Sequence, residues 1–291
     1  GREEGTVLDR PVLASVDAVP DGAAELLVLC TPVAANAEIV RSAAARGVRA
    51  VFCAAGGYSE AGPDGAEAED QLVALADELG IVLAGPNGQG VVSTPVGLCA
   101  QIVAPFPTAG RIAVVSQSGN FVSSFLNYAN QTGVGISRAV SAGNAAAIGV
   151  ADYLEWFADD PETEVALCYL EGLADGRGFF ERVREVTRRM PVVVVKGGTT
   201  AGGQRAAASH TGSLANDDQI FDGMARQAGL VRVANIESAF EAAATFATQP
   251  LPAGNRIVVL STAGGWGVVT ADAVTAHRDL DLTPLPADLM A

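Results

Sequence analysis

An α/β protein built on parallel strands is what the sequence predicts. Short β-branched runs alternate with alanine-rich segments of helical period, the pattern of strand–helix–strand units. The composition agrees: 49% hydrophobic and 18% charged residues with 33 glycines describe a globular chain, and 291 residues suffice for two or three domains.

The apolar run Leu26-Leu27-Val28-Leu29-Cys30 predicts the first strand, and helical period over 34–46 predicts the helix after it. Strands at 49–54 and 81–84 enclose a helix at 67–79. The stretch Pro105-Phe106-Pro107-Thr108-Ala109-Gly110 is a break, and a strand at 111–115 follows it. Helix 120–131 leads to strand 134–140, helix 149–158 to strand 165–170, and helix 178–189 to strand 192–196; helices at 215–228 and 236–247 come next. A second break, Gln249-Pro250-Leu251-Pro252-Ala253-Gly254, precedes a strand at 256–261 and a helix at 267–277. These cuts leave pieces of about 105, 145 and 37 residues. The last is too small to close its own core and the first opens without a strand-glycine-helix unit, so both chain ends read as truncated.

An internal repeat supports the cuts. Arg111-Ile112-Ala113-Val114-Val115-Ser116-Gln117-Ser118-Gly119 and Arg256-Ile257-Val258-Val259-Leu260-Ser261-Thr262-Ala263-Gly264 share Arg, Ile, Val, Ser and Gly at positions 145 apart. Each segment runs from a buried strand through a turn of small residues into a helix. Such a turn gathers unpaired backbone N–H groups and the positive helix end at one spot, an anion cradle. The other reading is that small residues merely let strand and helix pack closely; two copies favour the cradle.

Several function classes lack their physical signature. Eighteen basic against 33 acidic residues leave a net charge of −15, the opposite of what neutralising nucleic-acid phosphates requires, so no nucleic-acid partner is expected. No apolar run approaches the ~18 residues of a membrane span, and no membrane partner is expected. Lys196 is the single lysine, so bound anions must rely on arginines, backbone N–H groups or helix ends. Cys30, Cys53, Cys99 and Cys168 are scattered singly and mostly lie in apolar runs, which predicts buried, reduced thiols and a cytoplasmic location. His210 and His277 have no ligand cluster near them, and no protein metal site is expected. Neither a G-x-G-x-x-G after a strand nor a Walker lysine loop occurs, and Ser116 stands where a serine-hydrolase elbow before Ser118 needs glycine.

His210 is the first candidate for chemistry. It sits in Ala206-Ala207-Ala208-Ser209-His210-Thr211-Gly212-Ser213, within a Gly/Ser/Thr-rich connection from Gly197 to Leu214, and loops of that length are commonly functional. Imidazole acts as a nucleophile when a carboxylate orients it; otherwise a loop histidine is a solvated or capping residue. Glu171, in Tyr169-Leu170-Glu171-Gly172 at a strand's carboxyl end, is the candidate orienter or else an exposed glutamate. Three turns, Cys30-Thr31-Pro32-Val33, Gly56-Gly57-Tyr58-Ser59-Glu60 and Gly85-Pro86-Asn87-Gly88-Gln89-Gly90, lie where a nucleotide-like ligand crosses a doubly wound sheet.

Together with Ser116-Gln117-Ser118-Gly119, Gly143-Asn144, Tyr169-Leu170-Glu171-Gly172, Lys196-Gly197-Gly198, Ser209-His210-Thr211-Gly212-Ser213 and Ala263-Gly264-Gly265, the Gly85-Pro86-Asn87 turn resembles the CoA-ligase subunit of NDP-forming acyl-CoA synthetases, relatives of the succinyl-CoA synthetase alpha subunit. The resemblance covers nearly the whole chain in the family's order. It implies a Rossmann-like CoA-binding domain over 1–109, a flavodoxin-like ligase domain with a phosphohistidine loop over 110–252, and the start of a second flavodoxin-like domain over 253–291. It implies that His210 is phosphorylated and that Glu171 holds it. It assigns phosphate-binding helix ends to Ser118, Gly119, Asn120, Gly264 and Gly265, and CoA contacts to Thr31, Pro32, Val33 and Asn87. CoA and ATP or another NTP are the implied cosubstrates, with the NTP and Mg on a nucleotide-grasp, beta-type partner subunit or domain, a carboxylic acid as substrate, and an oligomeric assembly that this chain does not complete alone.

Departures from the family pattern are part of the expectation. The glycine-rich turn that grips the CoA phosphates would lie upstream of Gly1. Ser123 stands where succinyl-CoA synthetases carry a substrate tyrosine, and Ala147 where acyl-CoA relatives have an aspartate, which disfavours succinate. Trp266 shapes the site or packs against its sheet, and packing is the expected role. The alternative function is a CoA-sensing or scaffold module of a larger protein, such as a fused acetyltransferase; the presence of both Glu171 and His210 favours catalysis.

Overall fold

A computed structural model of the chain describes residues 5–102, 105–205 and 217–285. Contacts divide the chain into two units, residues 1–248 and 249–291. The second expected break, at Gln249, coincides with that division.

In the first unit, after a short hairpin of β1 (Thr6–Val7) and β2 (Arg10–Pro11), the strands β3 (Leu26–Leu29), β4 (Ala50–Cys53) and β5 (Val82–Ala84) form a parallel three-stranded sheet in chain order. The helices α1 (Val33–Ala45) and α2 (Pro63–Leu79) connect them. α2 starts four residues before its predicted position because Pro63, with φ preset for the first helical turn, opens it; Gly80 in a left-handed conformation closes it. Val40 of α1 and Leu72 and Leu75 of α2 pack with Leu29, Val51 and Leu83 of the strands, each buried side chain contributing about 1.5–3 kcal/mol.

The second sheet has seven strands in the order β12-β11-β10-β8-β9-β6-β7. Its parallel part comprises β8 (Ala109–Ser116), β9 (Ile136–Ser141), β10 (Val165–Leu170), β11 (Val192–Lys196) and β12 (Val231–Val233). From β8 the chain winds to one side for β9 and to the other for β10, β11 and β12, so the order reverses at β8, the flavodoxin-like arrangement. Alternation along the strands feeds two cores. Ile112 and Val114 join α3 (Gly119–Thr132) and α7 (Ile236–Thr248) on one face. Ala113 and Val115 join α4 (Val150–Asp159), α5 (Gly176–Val186) and α6 (Asp218–Ala228) on the other. The start of the predicted helix 215–228 falls outside the described residues up to 216.

Several strands were not legible in the sequence: β1, β2, β12, the strand Asp281–Leu282 of the second unit, and two strands that form a hairpin beside β9. β6 (Gly90–Ser93) and β7 (Leu98–Gln101) make an antiparallel hairpin that adds to β9 through Val91, Val92 and Ser93. Although they follow the turn after β5, they belong by hydrogen bonding to the second sheet. The hairpin covers an edge that would otherwise be open. Arg138 of β9 ties this region to α4: it donates to the Ser93 hydroxyl (2.8 Å) and pairs with the buried Asp160 (3.1 Å).

In the second unit, β13 (Arg256–Ile257) pairs in parallel with β14 (Asp281–Leu282), joined by α8 (Gly264–Ala276). The strand is two residues long, not the six of 256–261, because β14 offers only two partners. Among its described residues only Val274 is buried. Trp266 is 73% exposed, contrary to the expected packing. The thiols also correct an expectation: Cys53 and Cys168 are buried, Cys30 and Cys99 are exposed, and all four are free.

Candidate active site

The carboxyl ends of β3, β4 and β5 carry three turns that meet. After β3, Thr31 and Pro32 lead into α1, which begins at Val33. The buried Asn36, one turn into that helix, fixes them: with its amide oxygen accepting from the Tyr58 hydroxyl (2.6 Å), its nitrogen donates to Thr31 Oγ1 (2.7 Å) and to the carbonyls of Thr31 and Pro32 (both 3.1 Å). Burial pushes the Tyr58 phenol up to about 12. The second turn reaches the first at Gly57, where a Cβ would stand 3.1 Å from Val33 Cγ2. It reaches the third at Gly56, where a Cβ would stand 3.3 Å from Asn87 Oδ1.

Asn87 holds φ at +60° after the cis Gly85–Pro86 peptide and is exposed. Its turn docks on the turn after β9. Asn144 N–H donates to Pro86 O (2.9 Å), Ala146 N–H to Gly85 O (3.1 Å), and Asn87 Nδ2 to Asn144 Oδ1 (3.2 Å). Gly143 permits this approach: its φ is +57° and a Cβ there would lie 2.1 Å from Pro86 O. Asn144 Nδ2 in turn donates to Glu60 Oε2 (2.6 Å), Glu69 Oε2 (2.7 Å) and Ser59 Oγ (3.1 Å). Burial raises the Glu60 pKa, but the Asn144 amide and backbone N–H groups, including that of Gly57, outweigh it and hold the carboxyl below its ordinary value.

Two residues beyond Asn87, Gln89 bridges to the start of α3. Its Nε2 donates to Asn120 Oδ1 (3.0 Å), and its Oε1 accepts from the hydroxyl of Ser123 (3.2 Å). Ser123 is therefore occupied with Gln89. The cradle turn before α3 is shaped by Ser116, whose hydroxyl donates to Ser118 O (2.6 Å) and accepts from Ser118 N–H (3.0 Å). The second unit repeats this: Ser261 Oγ donates to Ala263 O (2.8 Å) and accepts from Ala263 N–H (3.1 Å), and α8 begins at Gly264 as α3 begins at Gly119. The repeat read from the sequence is thus a repeat of hydrogen bonding.

Glu171 follows β10, beside the cradle turn that follows β8. Burial and the negative charge of Glu171 push the Tyr169 phenol up to about 12. The Tyr169 ring is stacked on Phe121 of α3 at 3.8 Å. His210 lies outside the described residues, and its distance from Glu171 is therefore not part of this geometry. Gln117, Gln89 and Glu69 complete the site without any signal of their own in the sequence. Gln117 lies inside a motif, but its partners are 54 and 55 positions away, and Glu69 reaches Asn144 across 75 positions. Among the described residues no cluster of three His, Cys, Asp or Glu side chains is arranged for a metal ion, and no helix is long and apolar enough to cross a membrane.

Two family models match the chain in succession, a CoA binding domain over residues 1–94 and a succinyl-CoA ligase like flavodoxin domain over residues 109–246. The acetate–CoA ligase (ADP-forming) I subunit alpha of Pyrococcus furiosus is 37% identical over 262 residues, 90% of this chain and 56% of that one. The succinate–CoA ligase (ADP-forming) subunit alpha 2 of Archaeoglobus fulgidus is 30% identical over 211 residues, 69% of each chain. A solved structure of Ca. Korarchaeum cryptofilum dinucleotide forming acetyl-coenzyme A synthetase 1, in complex with phosphate and ADP, superposes with a TM-score of 0.90 at 33% identity, covering 98% of this chain and 61% of that one. The chain spans 56% to 58% of the length of the two Pyrococcus furiosus alpha subunits and 38% of an acetate–CoA ligase (ADP-forming) I of Archaeoglobus fulgidus. With both matched domains in order and the turns of both sheets in place, the chain belongs to the NDP-forming acyl-CoA synthetase superfamily, on its alpha-subunit side.

Proposed function

We propose that this chain is the CoA-ligase component of an acyl-CoA synthetase that converts a carboxylic acid, CoA and an NTP to acyl-CoA, NDP and phosphate. The observation that carries the reading is the meeting of the two sheets' carboxyl ends: the Asn87 turn is bonded to Asn144, and Gln89 to Asn120 at the start of α3. That neighbourhood supports the reading, because attack of a thiol on an acyl phosphate needs the thioester end close to a phosphate site.

In this reading a nitrogen of His210 takes the γ-phosphoryl group of the NTP, and NDP leaves. The carboxylate oxygen of the acid takes the phosphoryl group from His210, forming acyl phosphate. The CoA thiolate then attacks the acyl carbon and phosphate departs. Glu171 orients the imidazole and supports the positive charge that develops on it. Ser118, Gly119 and Asn120 offer backbone N–H groups to phosphoryl oxygens, and Gly264 and Gly265 are a second phosphate-binding helix end in this reading. Thr31, Pro32, Val33 and Asn87 contact CoA. Residues 1–109, 110–252 and 253–291 form the CoA-binding, ligase and second ligase-type segments. The NTP, with Mg, sits on a nucleotide-grasp partner of an oligomeric cytoplasmic assembly. The alternative, a CoA-sensing or scaffold module, is not favoured by relatives that are ligase subunits.

The test is to phosphorylate an assembly of this chain with a nucleotide-grasp partner and to map the acid-labile phosphate. His210→Ala should abolish the label; a label that survives the substitution would sink the assignment.

A further inference from the structure

Glu171 is gripped at both ends of its backbone by side chains from the two strands that flank its own. From the β8 side, Gln117 Oε1 accepts from Glu171 N–H (2.6 Å) and from Gly172 N–H (3.2 Å), while Gln117 Nε2 donates to Gly172 O (3.0 Å). From the β11 side, the ammonium of Lys196 donates to Glu171 O (2.8 Å) and to Gly197 O (2.5 Å). Gly197 N–H donates to Leu170 O (2.8 Å), and a Cβ at Gly197 would fall 2.5 Å from the Tyr169 hydroxyl. The turn that carries Glu171, the Tyr169 ring and the first residue of the connection to His210 are therefore packed closely together.

Lys196 is an unusual residue for its place. It ends a strand of four valines, is 5% exposed, and is the single lysine of the chain. Its ammonium lies 5.8 Å from the ring centroid of Phe221 of α6, with the guanidinium of Arg232 5.4 Å from the same ring. Burial pushes its pKa below the ordinary lysine value; Asp218 and Glu171 oppose that shift and Arg232 adds to it. An apolar side chain would suit this buried strand end without the desolvation an ammonium incurs, so retention of the cation calls for work at the two carbonyls it holds.

We infer that Gln117 and Lys196 are positioning residues for Glu171, which clamp its peptide so that its carboxylate is held in one orientation for its role toward His210. The inference rests on the phosphohistidine reading given above. It also joins the cradle to the carboxylate, since Gln117 lies between Ser116 and Ser118 of the cradle turn.

The experiment measures the rate of His210 phosphorylation in the assembly with its nucleotide-grasp partner. Gln117→Leu and Lys196→Met are each made in the wild-type and Glu171→Gln backgrounds, with Lys196→Arg as the conservative variant. Each single variant should slow phosphorylation by about 10- to 100-fold with KM for the nucleotide unchanged, the scale of a catalytic group displaced by about an ångström. In the Glu171→Gln background the same substitutions should add less than about 3-fold, because the group they position is already gone. Lys196→Arg should recover part of the rate. Losses that multiply fully in the Glu171→Gln background, or rates unchanged by both substitutions, would overturn the inference while leaving His210 as phosphoryl acceptor. A wild-type assembly whose label is not on His210 would overturn both. Gln117→Leu decides the matter if Lys196→Met does not fold.

Discussion

Asn144 shows how much one side chain can organise. Its amide nitrogen faces two carboxylates and a hydroxyl from the turn after β4 and from α2, and its oxygen receives Asn87. Glu60 gains from this in its ionised form. A carboxyl held below its ordinary value of 4.5 stabilises the fold above that value and loses the contribution as pH falls through the depressed one. Glu60→Gln should therefore flatten the fall in unfolding free energy on acidification below about pH 4.5, as followed by denaturant titration at several pH values; an unchanged slope would show that the carboxylate gains nothing from Asn144. None of this was legible in the sequence. The motif containing Asn144 was visible, but partners 57 to 85 positions away leave no local trace. The turn carrying Thr31 was legible, but its CoA role only through the family resemblance, and part of what fixes it, the bond from the Tyr58 hydroxyl to Asn36, spans 22 positions.

At the scale of elements, the parallel strands were read closely because burial on both faces makes them unbroken apolar runs: 165–170 and 192–196 coincide with β10 and β11. The β6–β7 hairpin escaped because its residues are few and its partner strand β9 lies more than 40 positions on. Arg138 is what makes that attachment a polar as well as a backbone contact. Its side chain is 14% exposed, and that of Asp160 3%. Arg138→Met should leave the Asp160 carboxylate buried without its cation and cost about 3 kcal/mol of stability, the lower end for a buried pair broken on one side because the guanidinium keeps some solvent. A thermal melt of the variant within a degree of wild type would refute this.

For the molecule as a whole, the charge of −15 works against holding polyanionic nucleotides at long range unless a partner supplies positive surface. The chain mixed with CoA, MgATP and short or aromatic acids is expected to form no thioester until a nucleotide-grasp partner is added. Thioester formation by the chain by itself, free of contaminating kinases, would remove the partner requirement. The division at Gln249 was legible from its prolines and glycines, whereas the exposure of Trp266, Val268 and Val269 was not, since a helix pattern does not reveal how many strands lie beneath it.

The hairpin has a further consequence for the wiring of the chain. Because β6 and β7 precede the Pro105–Thr108 stretch yet complete the sheet that begins after it, a nick within that stretch would not part the molecule along a domain seam. The amino-terminal fragment would keep two strands seated on β9 by backbone hydrogen bonds, along with the docked Asn87 turn and the Gln89 bridge. The two pieces should stay associated and, made separately, find each other by strand complementation, so that the covalent link between them should matter less than the backbone pairing it precedes.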